Sequence, residues 1–226
     1  MKVESLNLKT SRGATTAHVA LPKTAPTDTS AGVILIHEWW GINDHIRDLA
    51  GRYANEGYVC VAPDLYRGRV ATDTTEASAL MQALAIDDGI ETIREALEVA
   101  AETYQVKQFA ITGYCMGGTF ALRAACEMPE LAAAAPFYGD TPEEEVLAKL
   151  KVPTLFIAGK RDAWINPEKV NALKEIAAKY NLPVEAVSYD ADHAFFNDTR
   201  PQVYDAEAAA DAWRRVLEHF KKHLAN

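Results

Sequence analysis

The chain has 226 residues, of which 49% are apolar and 24% are charged, with a formal net charge of −9. This length and composition predict one soluble domain with a sizeable core. The negative charge argues against nucleic acid and against an anionic membrane surface as partners.

Other classes of protein are disfavoured by what the sequence lacks. No apolar stretch is long enough for a membrane span, and residues 1–10 alternate between polar and apolar without the core of a signal peptide. Three cysteines, with no Cys-x-x-Cys pair, favour a reducing, cytoplasmic compartment over a disulfide framework or a metal site. We therefore expect neither metal nor cofactor. The sequence leaves open whether the protein is a monomer or a homodimer.

The predicted elements begin with an antiparallel pair, Val3–Leu8 and Thr16–Leu21, followed by a loop at Lys23–Ser30. Short apolar runs then alternate with helix-period segments, which predicts a mostly parallel sheet covered by helices on both faces. The predicted strands are Gly32–Ile36, Tyr58–Ala62, Phe109–Thr112, Ala132–Phe137, Thr154–Ala158 and Val184–Tyr189. The predicted helices are Asp44–Glu56, Glu76–Ala101, Gly117–Glu127, Pro142–Lys149, Pro167–Tyr180 and Asp205–His223.

The third of these apolar runs leads into Gly113-Tyr114-Cys115-Met116-Gly117-Gly118 and then a helix. This is the context of a nucleophile elbow with cysteine in the serine position. The glycines allow a tight turn, and the helix N-terminus favours a thiolate and offers the Met116 N–H to an oxyanion. Cys60 and Cys126 lack this context and are predicted to be buried core residues.

The other two members of a triad are expected in loops at later strand ends, in the order nucleophile, acid, histidine. Asp162 follows the strand Thr154–Ala158, and His193 follows the strand Val184–Tyr189. We therefore predict Cys115 as nucleophile, His193 as base and Asp162 as its orienting partner. Asp190 and Asp192 remain competitors for the partner role.

A carboxylate occupies the loop that supplies an oxyanion donor in α/β-hydrolases, His37-Glu38-Trp39-Trp40-Gly41. Either Glu38 is a solvated loop charge, or it is a second, movable base that partners the thiol.

Together, these segments with Pro63-Asp64-Leu65-Tyr66, Gly159-Lys160-Arg161-Asp162 and His193-Ala194-Phe195 resemble the dienelactone hydrolase family over essentially the whole chain. The resemblance implies one α/β-hydrolase domain over residues 1–226 and a Cys-His-Asp triad. It also implies oxyanion donors at the Trp39 and Met116 backbones. Glu38 would contact the resting thiol and move away when substrate binds.

The chain departs from the best-known members at two arginines that hold the substrate carboxylate. Asn197 stands four residues after His193, and residues 72–78 contain no arginine. Without these two guanidinium groups, the carboxylate of an acidic lactone loses its binding partners, unless Arg67, Arg69 or Arg200 replaces them. We therefore expect a neutral aryl or short-chain ester. Its binding residues are predicted among aromatic side chains at strand ends, namely Trp40, Tyr138, Trp164 and Phe195.

Three alternatives stay open at this level. The same nucleophile and oxyanion donors suit a phosphotriester. A different class of function is a thiol redox sensor. Such a sensor needs a nearby resolving thiol, and Cys126 lies about three turns along the helix from Cys115. The third is a non-catalytic binding protein on the same scaffold.

Overall fold

The computed structural model describes residues 2–23 and 31–224. Its strands are β1 Lys2–Thr10, β2 Gly13–Leu21, β3 Ala31–Ile36, β4 Val59–Pro63, β5 Gln108–Tyr114, β6 Ala133–Phe137, β7 Thr154–Gly159 and β8 Val184–Tyr189. Its helices are α1 Asp44–Asn55, α2 Thr74–Ala83, α3 Ile86–Tyr104, α4 Met116–Glu127, α5 Glu144–Leu147, α6 Pro167–Tyr180 and α7 Ala206–Leu224. Apart from Lys23, the predicted loop at Lys23–Ser30 lies outside the described residues.

The strands form one mostly parallel sheet in the order β1-β2-β4-β3-β5-β6-β7-β8. β1 and β2 pair antiparallel from Lys2–Leu21 to Thr10–Gly13, which confirms the predicted N-terminal pair. β2 is also antiparallel to β4, whereas the pairs β3–β4, β6–β7 and β7–β8 are parallel. The continuous apolar runs of the sequence are therefore strands of a parallel sheet, as predicted.

The described residues divide into two compact units that adjoin in sequence at Ala110 and Ile111. In the first, α1 and α3 pack on β3 and β4. In the second, α4 packs on β6, α6 on β8, and α7 on β6 and β7. A single domain over residues 1–226 stays a prediction.

Two predicted helices were wrong in extent. The expected helix Glu76–Ala101 is two helices, because the chain is extended at Leu84 and Ala85 between α2 and α3. Asp87 and Asp88 then lie in the first turn of α3, where acidic side chains favour a new helix start. The expected helix Pro142–Lys149 shortens to the four residues of α5, because the chain is still extended at Glu143.

Candidate active site

Cys115 occupies a tight turn between β5 and α4, in the strand–turn–helix arrangement that the glycines predicted. Its backbone has φ 57° and ψ −119°, a conformation that is strained for a residue with a Cβ. Hydrogen bonds hold the turn: the Cys115 N–H donates to the Phe137 carbonyl at 3.1 Å, and the Cys115 carbonyl accepts from Gly118 N at 2.9 Å. Cys115 is the N-cap residue of α4, and it is partly exposed.

Two glycines let the elbow approach the end of β6. A Cβ on Gly118 would overlap the Phe137 carbonyl oxygen, and a Cβ on Gly139 would overlap the backbone of Gly118 and Thr119. Gly118 belongs to the motif Gly113-Tyr114-Cys115-Met116-Gly117-Gly118 of the sequence analysis, whereas Gly139 was missed. In the sequence, Gly139 is marked only by its position, two residues after the end of the predicted strand Ala132–Phe137.

His193 and Asp162 form a hydrogen-bonded pair in the second unit. His193 Nδ1 donates to Asp162 Oδ2 at 2.6 Å, and the other oxygen of Asp162 accepts from the backbone N–H groups of Trp164 at 2.8 Å and Ile165 at 2.9 Å. The Asp162 side chain has no exposed surface, whereas 12% of the His193 side chain is exposed. Both oxygens of Asp162 thus have partners: the backbone N–H groups hold Oδ1, and Oδ2 accepts from the imidazole.

These contacts set the charge state of the pair. Burial works against the charged form of His193, but hydrogen bonds to Asp162 and Cys115 outweigh it and raise the pKa of His193 to about 9. Burial likewise works against ionised Asp162, but its hydrogen bonds to His193 and to the two backbone N–H groups leave the pKa of Asp162 below its usual value. The structure therefore favours ionised Asp162 beside a readily protonated imidazole.

The two competing aspartates have another partner. Asp190 and Asp192 both pair with the guanidinium of Arg161, at 2.7 and 3.3 Å. The sequence did not predict these ion pairs, although Arg161 stands directly before Asp162.

The four aromatic candidates differ widely in exposure. Trp164 is 67% exposed, and its ring meets that of His193 edge-on at a centroid distance of 5.0 Å. Tyr138, which has φ 36°, also lies 5.0 Å from the His193 ring but is only 1% exposed. Phe195 is fully buried against Tyr138 and Tyr189, and Trp40 is partly buried. A substrate contact by each of the four stays a prediction.

In the first unit, a buried histidine fixes the start of the loop that carries Glu38. His37 Nε2 accepts from the Leu65 N–H at 3.2 Å, so its Nδ1 carries the proton and donates to the Glu38 carbonyl at 2.6 Å. Burial lowers the pKa of His37, which agrees with a neutral ring. Glu38 itself is only 2% exposed, unlike a solvated loop charge. Trp39 and Trp40 follow it with their rings 5.1 Å apart.

Two of the three candidate arginines have local partners. Arg67 donates to the carbonyls of Gly13 and Ala14 and to the hydroxyl of Thr10, which ties it to the β1–β2 turn. Arg69 lies 3.5 Å from Glu76. Arg200 is partly buried in the loop that follows His193.

The comparisons with known proteins agree on the family. The family model described as the dienelactone hydrolase family matches residues 15–224. The chain belongs to the dienelactone hydrolase family. It is 32% identical over 219 residues to a candidate carboxymethylenebutenolidase of Aquifex aeolicus, covering 92% of this chain and 93% of that one. It is also 34% identical to Protein usf of Aquifex pyrophilus over 218 residues, with coverage of 92% and 93%.

Solved structures confirm the α/β-hydrolase fold. A candidate dienelactone hydrolase of Klebsiella pneumoniae superimposes with a TM-score of 0.86 at 28% identity, covering 98% of both chains. A dienelactone hydrolase-like promiscuous phosphotriesterase from metagenomic libraries gives 0.88 at 20% identity, again over 98% of both, which shows the shared fold alone. Membership of this family makes the protein an ester or lactone hydrolase acting on a small molecule. No helix within residues 2–23 and 31–224 has the length and apolar character needed to cross a membrane.

Proposed function

We propose that this hydrolase cleaves neutral aryl or short-chain esters, or lactones, through an acyl-enzyme on Cys115. His193 is the general base and acid, and Asp162 orients its ring. The observation that carries the proposal is the 2.6 Å bond from His193 Nδ1 to a buried Asp162, together with the hydrogen bond between His193 and Cys115. A base held by a carboxylate on one side and in contact with a thiol on the other is the arrangement that nucleophilic catalysis requires.

In the first half-reaction, Cys115 Sγ attacks the carbonyl carbon while its proton passes to His193 Nε2. The resulting oxyanion accepts hydrogen bonds from the backbone N–H groups of Trp39 and Met116. When the carbon–oxygen bond breaks, His193 returns the proton to the leaving alkoxide and a thioester remains on Cys115. Met116 is the first residue of α4, so the helix N-terminus adds positive potential at this point.

In the second half-reaction, a water molecule gives a proton to His193 and attacks the thioester carbon. The collapse releases the carboxylic acid and returns the proton from His193 to the Cys115 sulfur. Glu38 acts before these steps: it keeps the resting thiol neutral, it is a second base that can take the thiol proton in place of His193, and it gives way when substrate enters. Its 2% exposure and its position at the end of β3 support a role inside the site rather than in solvent.

The proposed preference for neutral substrates depends on the arginines. Arg67 is engaged by the β1–β2 turn and Arg69 by Glu76, so neither guanidinium is held ready for a substrate carboxylate. Exposed Trp164 beside His193 offers an apolar surface to an aryl group instead.

The test is turnover of p-nitrophenyl acetate by wild type and by Cys115→Ala, with Cys126→Ala as the matched control. Cys126 is buried and its thiol pKa is raised by burial to about 12, so its loss should leave activity within about twofold. Cys115→Ala should retain less than about a hundredth of wild-type kcat. An acylated Cys115 peptide should accumulate early in the wild-type reaction. Turnover that survives in Cys115→Ala would refute the acyl-enzyme mechanism.

Turnover measured on a panel of neutral esters, lactones, dienelactone and phosphotriesters then distinguishes the remaining hypotheses about substrate and function. Phosphotriesters are included because the same nucleophile and donors suit a tetrahedral phosphorus centre, and because a relative of the same fold is named for that activity. Cys126 and Cys60 are both buried, which disfavours a resolving thiol for a redox sensor. Absence of turnover across the panel would favour the binding protein.

A further inference from the structure

Arg161 lies where the loop that carries Asp162 meets the loop that carries His193. We call residues 160–162 the aspartate loop and residues 190–193 the histidine loop. Arg161 Nη1 donates to the Asp190 carbonyl at 2.8 Å and to its carboxylate at 2.7 Å, and Nη2 donates to the Asp192 carboxylate at 3.3 Å. The guanidinium of Arg161 therefore pairs with both carboxylates of the histidine loop, Asp190 and Asp192.

The register of the two loops does not depend on this side chain. The Lys160 N–H donates to the Tyr189 carbonyl at 2.8 Å, and the Arg161 N–H donates to the Ala191 carbonyl at 3.0 Å. Gly159 approaches the Ala191 carbonyl so closely that a Cβ would overlap it. The main chain thus already joins the loops, and what the guanidinium adds is chiefly charge.

That charge matters because of what faces His193. Within residues 111–224, the titratable groups against its ring are Asp162 at Nδ1, the Cys115 thiol and the Tyr138 phenol. Asp190 and Asp192 stand three and one residues before it in the chain. Without a compensating cation, two further negative charges would lie in the same loop as an imidazole that already has a carboxylate partner.

We propose that Arg161 is a positioning residue that offsets part of the negative charge of Asp190 and Asp192, so that Asp162 is the carboxylate that chiefly acts on His193. This inference rests on the proposed function, because it assigns Arg161 a role in tuning the general base of that site. Arg161, Asp190 and Asp192 take no part in bond making or breaking.

Arg161→Gln should free both carboxylates and stabilise the imidazolium. We expect the acidic limb of the kcat/KM profile to move to higher pH by about 0.5 pH unit at ~20 mM salt, with a roughly threefold loss at pH 7. The Arg161 side chain is 49% exposed, so the effect should largely vanish at ~0.5 M salt.

Three variants make the test specific. Arg161→Lys keeps the charge but loses the fork, and its profile should stay near wild type. The triple variant Arg161→Gln/Asp190→Asn/Asp192→Asn removes the freed carboxylates, and its acidic limb should return to the wild-type position or move to slightly lower pH, because the summed charge changes from −1 to 0. Arg214→Gln is the matched control, because Arg214 is 53% exposed and pairs with Asp211 and Glu218 on α7. Its profile should not move.

A second readout keeps this inference separate from the acyl-enzyme mechanism. NMR titration of the His193 ring, assigned by the signal missing from His193→Gln, measures its pKa without catalysis. The Arg161→Gln shift should appear there too, and should be absent from the triple variant. If Cys115→Ala is active but the NMR shift occurs, only the proposed function fails. If Cys115→Ala is inactive and Arg161→Gln titrates like Arg214→Gln, or the triple variant keeps the shift, the role of Arg161 is refuted.

Discussion

At the scale of single residues, the charge of His193 is set by opposing forces. Burial disfavours the imidazolium, whereas Asp162 and Cys115 favour it, and the balance raises the pKa of His193 to about 9. A group whose pKa is higher in the folded than in the unfolded state binds protons preferentially when folded. Its contribution to stability is fully present below the unfolded pKa of about 6.5 and is lost as the pH rises through about 9.

We therefore expect His193→Gln to lower the free energy of unfolding more at pH 6 than at pH 9.5. Urea unfolding of the variant and of wild type at both values measures this difference. His18→Gln is a suitable control, because burial lowers the pKa of His18 and so gives the opposite sign. A loss from His193→Gln that is equal at the two pH values would show that the imidazolium is not stabilised in the folded protein.

Glu38→Gln tests the proposed control of the thiol. If the buried carboxylate holds Cys115 neutral at rest, a neutral amide at this position should let iodoacetamide alkylate the thiol at lower pH. Catalysis should also fall, because an amide cannot accept a proton. The measurement is the alkylation rate against pH beside kcat for the same ester. An unchanged rate profile together with wild-type kcat would assign Glu38 a structural role.

At the scale of elements, the elbow depends on close backbone approach between α4 and β6. In Gly118→Ala the new methyl group would overlap the Phe137 carbonyl oxygen, which is backbone and cannot move aside cheaply. We expect a loss of more than about 2 kcal/mol in stability together with a large loss of activity.

Gly57→Ala is the control for Gly118→Ala. Gly57 has φ 96°, so a side chain there is strained, but its Cβ would meet nothing within 4 Å. It should cost only the conformational strain, about 1 kcal/mol, and should leave kcat unchanged. Thermal unfolding and ester turnover of both variants test the argument. Equal behaviour of the two glycine variants would mean that the approach of α4 to β6 is not critical.

At the scale of the whole molecule, the net charge of −9 affects which substrates arrive. An anionic ester is repelled by this charge and a neutral ester is not. Raising the salt from about 20 to 200 mM should therefore raise kcat/KM for an anionic aryl ester by about twofold, and should leave its neutral analogue unchanged. A fall with salt would instead indicate a local cation that draws the anion in, for which Arg200 is the first residue to replace.

The order of strands and helices and the position of the elbow were determined by the sequence itself. Continuous apolar runs separated by helical periods encode a parallel sheet, and glycines around Cys115 encode a turn that other residues resist. Asp162 and His193 could be chosen because the carboxyl ends of parallel strands lie at one edge of the sheet. These patterns lie within short segments of the chain, so they can be recognised from the sequence alone. The break at Leu84 and Ala85 carried no such signal, since neither residue is glycine or proline.

Only the tertiary structure decided which carboxylate meets the histidine and what the others do. The sequence favoured Asp162 but left Asp190 and Asp192 open as competitors. Their roles differ because Arg161 lies beside the latter two and two backbone N–H groups lie beside the first. The need for Gly139 likewise arises only where β6 meets α4. The exposure of aromatic side chains was also decided by tertiary structure. Trp164 and Phe195 both follow predicted strands, but Trp164 lies in solvent, whereas Phe195 is buried in the core by neighbours distant in the chain.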